Sequence, residues 1–180
     1  MEINLLNFTG ITEAICGLQQ SYKVDSERAK SVAKRFFNST DKLHSGELKF
    51  MEFITVYLEI RAPRYWWQQF DTYRIGISKQ SESTMHTIMK RKLAQDDFAE
   101  MINPQHLEYL NDKIAYKDFD AVKNNLPEGF LQRRIIKTDV KTLKYIIEQR
   151  KNHRLNEWQI FCKKIKETIN YIKDYELPEF

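Results

Sequence analysis

Cysteine is nearly absent from this sequence, which has only Cys16 and Cys162 among its 180 residues. Two isolated cysteines do not make a disulfide framework or a zinc site. Both are therefore predicted to be buried, reduced thiols in a cytoplasmic protein. Long apolar runs are also missing, including the apolar region of a signal peptide, so neither a signal peptide nor a membrane span is predicted.

Residue patterns of several well-known catalytic sites are missing too. The sequence contains no glycine-rich phosphate loop, no Ser/His/Asp triad and no Cys–His pair. The spacing of its four histidines does not suggest a metal site; they are His44, His86, His106 and His153. The net charge of +4 favours an anionic ligand but is too small to predict nucleic-acid binding.

The composition is that of one globular domain. The 180 residues are enough to bury a core, and 42% of them are hydrophobic. No internal repeat, low-complexity tract or linker interrupts the chain. We therefore predict a single domain over residues 1–180. Aromatic residues make up 13% of the chain, which indicates a substantial core, an interface, or both.

Residues 47–86 contain the most informative pattern. Residues 53–60 mix β-branched and aromatic side chains over one strand length, which predicts a buried or half-buried strand. Pro63 fits the first turn of a helix predicted over residues 64–74. Residues 78–84 form a polar run that predicts a hydroxyl-rich loop. A strand, a helix and such a loop commonly present polar groups to a small anionic ligand.

Local periodicity predicts the other elements of the chain. Further helices are predicted over residues 12–20, 26–37, 87–99, 105–122, 139–149 and 154–171, and further strands over residues 3–8 and 132–138. The predicted N-caps are Thr12, Ser26 and either Thr138 or Asp139, and Pro104 begins its helix. A turn is predicted over residues 41–46.

Two separated blocks of the sequence contain residues in a characteristic order. The first runs through Gly46-Glu47, Glu52-Phe53, the predicted strand, Gln69, Thr72-Tyr73-Arg74 and the polar run as far as Met85. The second runs through Leu126-Pro127, a predicted strand, Asp139, Lys141, Leu143, Arg150 and residues 155–159. These blocks resemble the flavin-dependent thymidylate synthases, or thymidylate synthase complementing proteins. The chain looks like a short, divergent member with altered site motifs.

The resemblance implies a fold and an activity. The fold would be α/β (α+β), with a mixed or antiparallel sheet covered by helices. The activity would be transfer of a methylene from a folate to C5 of deoxyuridine monophosphate (dUMP), a step of pyrimidine metabolism. The cofactor would be FAD, which supplies reducing equivalents, and the folate would be a co-substrate. The family also implies a homotetramer whose sites form where subunits meet.

The resemblance also assigns residues to ligands, position by position. Its nucleotide-contacting positions fall on Gln69, Gln80, Ser83 and Arg150. Its flavin-side positions fall on Glu52, Arg74, Asp139 and Lys141. It assigns no catalytic residue and no metal ligand. Cationic side chains and hydrogen-bond donors at these positions suit the phosphates of both ligands.

Other positions depart from the family pattern. Thr72 and Tyr73 replace an Arg and a His that contact flavin in the family. Thr84 replaces an Arg that contacts the nucleotide phosphate, and Glu82 replaces a neighbouring Ser. A carboxylate at that place would repel a phosphate by on the order of 1 kcal/mol at partly exposed distances.

Each residue also has a structural interpretation. Arg74 can be a surface or interface ion-pair residue, and Arg150 is favourable at a helix C-terminus without any ligand. Trp66 and Trp67, with Tyr65, suit the core and a subunit interface better than a base-stacking platform. The hydroxyl-rich run can be a solvated loop.

Three functions are therefore consistent with the sequence. The first is a flavin-dependent thymidylate synthase or a close variant. The second is a nucleotide-binding protein of the same fold that does not turn its ligand over, or that takes an altered substrate. The third is a structural or regulatory oligomer with no ligand. The retained Gln69, Arg74 and Arg150 argue against the third.

Overall fold

The computed structural model describes residues 1–39 and 46–175, so most of the turn predicted over residues 41–46 lies outside the described residues. The strands are β1 (Glu2–Thr9), β2 (Thr55–Pro63), β3 (Ser78–Ser81) and β4 (Leu131–Asp139). The helices are α1 (Ile11–Tyr22), α2 (Ser26–Asn38), α3 (Arg64–Phe70), α4 (Thr84–Thr87), α5 (Pro104–Ala115), α6 (Phe119–Asn125), α7 (Val140–Arg150) and α8 (Asn156–Asp174). Short 3₁₀ helices cover Gly46–Glu52, Ile88–Lys90 and Gln95–Asp97.

The four strands form one antiparallel sheet in the order β1-β2-β4-β3. Hydrogen bonds at both ends of the central strands, β2 and β4, show how these two strands are paired. The Arg64 amide donates to the Phe130 carbonyl at 3.1 Å, and the Val140 amide donates to the Ile54 carbonyl at 3.1 Å. The residue numbers therefore rise along β2 as they fall along β4, so the two strands are antiparallel. The predicted fold class, an antiparallel sheet combined with many helices, is confirmed.

The chain forms two compact units. The first contains residues 1–2, 60–74 and 79–135, and the second contains residues 3–59, 75–78 and 136–180. The strands β2 and β4 each contribute residues to both units. The single domain expected from the sequence stays a prediction.

The first unit has a core built from aromatic and aliphatic side chains. Trp66 and Trp67 are fully buried, and the Trp66 ring stacks on Phe70 with a centroid distance of 5.0 Å. A second cluster comprises Ile88, Leu93, Phe98, Leu110, Ile114, Val122, Leu126 and Phe130. The prediction of core tryptophans is confirmed. Because both side chains are enclosed within the chain, neither supplies surface to a subunit interface.

The second unit buries one face of each of its long helices. The apolar stripe predicted on the last helix is the buried face of α8, where Trp158, Phe161 and Ile165 are all inaccessible to solvent. Asp139 is the N-cap of α7, and its Oδ1 accepts from the Thr142 amide at 2.8 Å. Of the two predicted caps, Thr138 and Asp139, the structure selects Asp139, and it confirms the strand and the helix on either side.

Two other predicted caps are wrong by one or two residues. The N-cap of α2 is Asp25, whose Oδ1 accepts from the Arg28 amide at 2.8 Å, so Ser26 is the first helical residue. The N-cap of α1 is Gly10 at φ +89°, not Thr12. A Cβ on Gly10 would lie 2.0 Å from the Phe53 carbonyl oxygen, so only glycine fits there.

The predicted helix over residues 87–99 is wrong. This segment contains two short 3₁₀ helices, because side chains take its backbone groups. Asn111 Oδ1 accepts from the Leu93 amide at 2.7 Å, and Asp97 Oδ2 accepts from the Ala94 amide at 2.8 Å. Helical i to i−4 bonds cannot form where these amides are already paired.

The predicted helix over residues 105–122 is two helices. It breaks at Lys117, which has φ +57°, and Asp118 begins α6 by accepting from the Ala121 amide at 3.1 Å. The helix predicted over residues 64–74 ends at Phe70, with Asp71 as its C-cap. The strand predicted from residue 53 begins at Thr55, and Phe53 is 53% exposed.

Two further predictions are corrected by the structure. The polar run is not a loop throughout, since Ser78–Ser81 is the edge strand β3 and Thr84–Thr87 is the short helix α4. The Glu82 amide donates to the Arg133 carbonyl at 2.8 Å, which extends the pairing with β4. Cys16 is exposed on α1, whereas Cys162 is buried as predicted.

Candidate functional site

Three of the predicted flavin-side residues lie together at the start of α7 in the second unit. Lys141 Nζ lies 2.6 Å from Glu52 Oε1, and both side chains are partly exposed. Asp139 accepts from the Thr142 amide through Oδ1 and from the Thr142 hydroxyl through Oδ2, each at 2.8 Å. All three predicted residues are therefore bonded to other residues of the chain.

Gly76 lies against the same helix start. It has φ +72°, and a Cβ built on it would lie 2.6 Å from Thr142 Oγ1 and 3.0 Å from Asp139 Oδ2. The backbone at this position thus approaches the Asp139 carboxylate as closely as glycine allows. The sequence analysis drew no inference from Gly76, which stands two positions after Arg74, and it gave no sign of the contact with α7.

Arg150 lies at the opposite end of α7 from Lys141. The two are nine positions apart in the sequence, which corresponds to about 14 Å along a helix. The Arg150 guanidinium lies over the Trp158 ring, with Cζ 4.6 Å from the ring centroid. Burial, together with the charges of Arg150 and Arg154, lowers the pKa of His153. Arg150 therefore packs at a helix C-terminus on a buried ring, as its structural interpretation expected.

The other predicted residues belong to the first unit. Gln69 is half-buried on α3, and its carbonyl accepts from the Thr72 hydroxyl at 2.7 Å. Gln80 is exposed on β3, and Ser83 is the N-cap residue of α4, where its side chain makes no capping hydrogen bond. Arg74 is exposed, and within residues 1–39 and 46–175 it has no hydrogen bond or ion pair.

A lysine that the sequence did not identify stands beside this group. Lys123 Nζ, from α6, donates to the Thr84 hydroxyl at 2.7 Å, and both residues are half-buried. The two are 39 residues apart, so no spacing rule connects them. The structure thus places a cation next to Thr84, the position at which an arginine of the resembling family contacts phosphate.

Glu82, whose carboxylate was expected to repel a phosphate, has a cation near it, Arg91. The hydrogen bond to Asp97 and, more weakly, the charges of Asp97 and Glu82 raise the pKa of Arg91, so the Glu82 carboxylate lies within electrostatic reach of that guanidinium. Both backbone groups of Glu82 are hydrogen-bonded. Its amide donates to the Arg133 carbonyl, and its carbonyl accepts from the Gln132 side-chain amide at 2.8 Å. The neighbouring cation reduces the repulsion that the sequence predicted.

A second unpredicted feature of the first unit is a cluster of charged side chains. Arg134 Nη1 donates to Asp71 Oδ1 and Oδ2 at 2.9 and 3.0 Å, and Lys79 Nζ donates to Oδ1 at 2.7 Å. The Arg134 guanidinium also lies 4.3 Å from the Trp67 ring centroid. Burial raises the pKa of Asp71, but the hydrogen bonds from Lys79 and Arg134 outweigh it and leave this pKa below its usual value. The cluster joins α3, β3 and β4, and thereby positions Gln69 and Gln80.

Two absences hold for the described part of the chain. No group of three or more His, Cys, Asp or Glu side chains in it is arranged to hold a metal ion. Over the same residues, none of the helices combines the length and the apolar character that a membrane span requires.

Comparison with known proteins finds matches to the fold but no match at the level of sequence. No protein-family model and no curated protein matches the sequence. The crystal structure of the flavin-dependent thymidylate synthase ThyX from Helicobacter pylori, complexed with FAD and dUMP, is 17% identical over 91% of each chain, with a TM-score of 0.73. A second crystal structure of Thymidylate Synthase X from Helicobacter pylori, with FAD and dUMP, is 18% identical over 91% of this chain and 90% of that chain, also at 0.73. The protein therefore has a ThyX-like fold.

Proposed function

We propose that the protein is a flavin-dependent thymidylate synthase-like protein that acts on a pyrimidine deoxynucleotide. The reaction would be methylene transfer to C5 of dUMP, with a folate as co-substrate. Support comes from the shared fold and from Gln69, Arg74 and Arg150, which keep the side chains of the resembling family. A single domain and a homotetramer belong to the same proposal.

The observation that carries the proposal is the 2.7 Å contact between Lys123 Nζ and the Thr84 hydroxyl. A phosphate needs a cation and hydrogen-bond donors at one place. Lys123 supplies the charge, and the Ser83 and Thr84 hydroxyls supply short-range donors beside it. The loss of arginine at position 84 is thus compensated by a lysine from α6.

The nucleotide base would meet amide side chains. Gln69 and Gln80 each offer a carbonyl acceptor and an NH₂ donor, and a uracil edge presents carbonyl oxygens and an N–H in alternation. The Asp71–Arg134 cluster fixes the elements that carry both glutamines. This arrangement orients a pyrimidine by hydrogen bonding rather than by aromatic stacking.

Each unit offers one cation to a phosphate of FAD: Arg74 in the first unit and Lys141 in the second. FAD carries a diphosphate, and Arg74 is exposed with its guanidinium available to it. Lys141 must exchange Glu52 for the ligand, which costs about 1 kcal/mol at most for a partly exposed pair. Each of these two cations therefore suits a phosphate group. When bound, the flavin supplies the reducing equivalents, and the chain supplies binding and orientation.

A second candidate function is nucleotide binding without turnover. It is favoured by the pairing of Lys141 with Glu52 and of Asp139 with Thr142, because both groups are already bonded within the protein. Thr72 and Tyr73 point the same way, since they stand where the family has its flavin-contacting Arg and His. In this case unit 1 residues would hold dUMP, and no flavin would bind.

The test combines dUMP binding with exchange chemistry. Lys123→Met should weaken dUMP binding measured by calorimetry about tenfold, because one charge-assisted contact to phosphate is lost. Lys163→Met, which removes an exposed lysine of α8, is the matched control and should bind dUMP like the parent. Equal affinities for both variants would exclude the Lys123 site.

Turnover is then measured on the parent protein. Release of tritium from C5 of labelled dUMP in the presence of reduced flavin, together with a flavin absorbance band, would support the synthase-like activity. Binding of dUMP without exchange and without flavin uptake would select the second candidate. No dUMP binding at all would overturn both.

A further inference from the structure

A cavity of about 330 Å³ lies in the second unit, bordered by the C-terminal end of α2 and by α7 and α8. Its volume is at the lower end of the range typical of small-molecule sites. None of the residues assigned to dUMP or FAD lines it. The proposed function therefore leaves this cavity without a role.

Part of the cavity wall is apolar. Phe37 is half-buried at the end of α2, and Ile147 and Ile169 are buried on α7 and α8, with 7% and 6% of their surfaces exposed. These three side chains come from three different helices and present hydrocarbon to the same space. An apolar ligand group gains free energy by leaving water for such a wall.

The rest of the wall is polar and carries more positive than negative charge. It comprises three lysines, one carboxylate and two amide side chains, those of Lys144, Lys151, Lys166, Glu148, Asn38 and Asn170. Glu148 pairs with Lys151, so this carboxylate does not neutralise the charges of Lys144 and Lys166. A ligand that places a charged group against this wall should therefore be an anion.

The two remaining lysines differ in what they can offer a ligand. Lys144 Nζ donates to the carbonyls of Phe36, Phe37 and Ser39 at 3.3, 2.6 and 2.8 Å, which uses its three protons. It contributes charge, but no donor. Lys166 is exposed, and its ammonium group has no hydrogen bond or ion pair with residues 1–39 or 46–175, so the three donors of this group are available.

We propose that this cavity binds a small organic carboxylate with an apolar body, such as an aromatic or short aliphatic acid. The carboxylate pairs with Lys166 at the mouth, where the charge of Lys144 adds to the attraction. The apolar body packs between Phe37, Ile147 and Ile169. A phosphate fits the charge but leaves the apolar wall in contact with water, so the carboxylate is the better match.

The test uses benzoate as the probe on the full chain. Calorimetric titration should show saturable binding with a dissociation constant on the order of 1 mM, which is usual for so small a ligand. Benzyl alcohol, which has the same ring without the charge, and inorganic phosphate, which has charge without the ring, should each bind at least about tenfold more weakly. Equal binding of benzoate and either control compound would overturn the proposal.

Charge-reversal variants locate the site. Lys166→Glu should weaken benzoate binding about tenfold or more, because it replaces an attraction by a repulsion at the mouth. Lys163→Glu makes the same change in net charge on the same helix, at a position outside the cavity, and should leave the affinity unchanged. Both are exposed positions, and thermal melts confirm that the variants fold. Absence of benzoate binding, or equal losses in the two variants, would overturn the proposal.

Discussion

Single residues of the second unit tie the backbone to side chains that are remote in sequence. Gly76 has φ +72° and touches Thr142 and Asp139, whereas Gly17 lies inside α1 with nothing within 4 Å of its missing Cβ. The two glycines therefore respond to the same substitution in opposite directions. Helix propensity decides the effect at Gly17, and the tertiary contact decides it at Gly76.

Gly76→Ala should destabilise the protein by roughly 1–3 kcal/mol, because the new Cβ meets the Thr142 hydroxyl at a backbone angle that alanine rarely adopts. Gly17→Ala is the matched control and should stabilise the protein by roughly 0.5–1 kcal/mol through helix propensity. Urea unfolding of both variants measures the two free energies. Equal shifts for both variants would contradict the close approach at Gly76.

Asp71 is the residue on which the first unit's ion cluster depends. Asp71→Asn should lower the free energy of unfolding by about 1 kcal/mol at neutral pH, because Arg134 and Lys79 lose their carboxylate; the effect is limited because that side chain is 41% exposed. Glu27→Gln, in an ion pair whose carboxylate is 83% exposed, should change little. Urea unfolding gives both values.

The sign of the pH dependence at Asp71 follows from its lowered pKa. The carboxylate contributes its full stability above 3.8, its ordinary pKa, and loses it as the pH falls through the lower pKa of the folded state. The difference in unfolding free energy between the parent and Asp71→Asn should shrink over that acid range. A difference that stays constant as the pH falls would show that Asp71 does not act through its charge.

At the scale of elements, the end of α2 depends on a side chain from α7. Lys144→Met leaves three carbonyls of that end without their donor, so it should destabilise the protein by roughly 1–3 kcal/mol at neutral pH. Lys166→Met, at the mouth of the same cavity, should have little effect because Lys166 is exposed. Urea unfolding compares the two variants.

The pH dependence of this contact has the same direction as that of Asp71, although it falls in an alkaline range, because folding lowers both pKa values. Burial lowers the pKa of Lys144 to about 8, below its ordinary value of 10.5. Between these two values the unfolded chain binds more protons at Lys144 than the folded chain, so the stability of the parent rises with pH there. Relative to Lys144→Met, the parent should gain stability between pH 8 and 10.5. A difference that stays flat would show that the folded pKa is unshifted.

At the scale of the whole molecule, the homotetramer stays a prediction from the resemblance. Trp66 and Trp67 are enclosed within the chain, so the interface has to use other residues. Light scattering at micromolar concentration should give four times the chain mass of 21.6 kDa. A monomer mass would reject the tetramer and, with it, any site that needs a partner subunit.

Elements with strong local patterns could be predicted from the sequence. The strands β2 and β4 and the helices α7 and α8 lie within a few residues of their predicted positions, because alternation and helical periodicity are properties of neighbouring residues. The segment over residues 87–99 could not, because Asn111 takes backbone groups that a helix would need. A partner 18 residues away leaves no mark in the local pattern.

The candidate site was predicted only in part for the same reason. The resemblance assigned Gln69, Gln80 and Ser83 to the nucleotide, which stays a prediction, and the local pattern gave either Thr138 or Asp139 as the cap of α7, which is Asp139. The sequence could not show that Lys141 is paired with Glu52, since these residues are 89 positions apart. Nor could it show that Arg150 packs on Trp158 at the far end of α7.

The sequence by itself determined the class of the fold, the main strands and helices, and the kinds of side chain near the polar run. Only the tertiary structure decided that the run starts as an edge strand, that Lys123 stands beside Thr84, and that Lys144 caps α2. The physical reason is the range of the interactions. Periodicity and capping act between residues a few positions apart, whereas charge pairing and burial join residues that only the folded chain brings together.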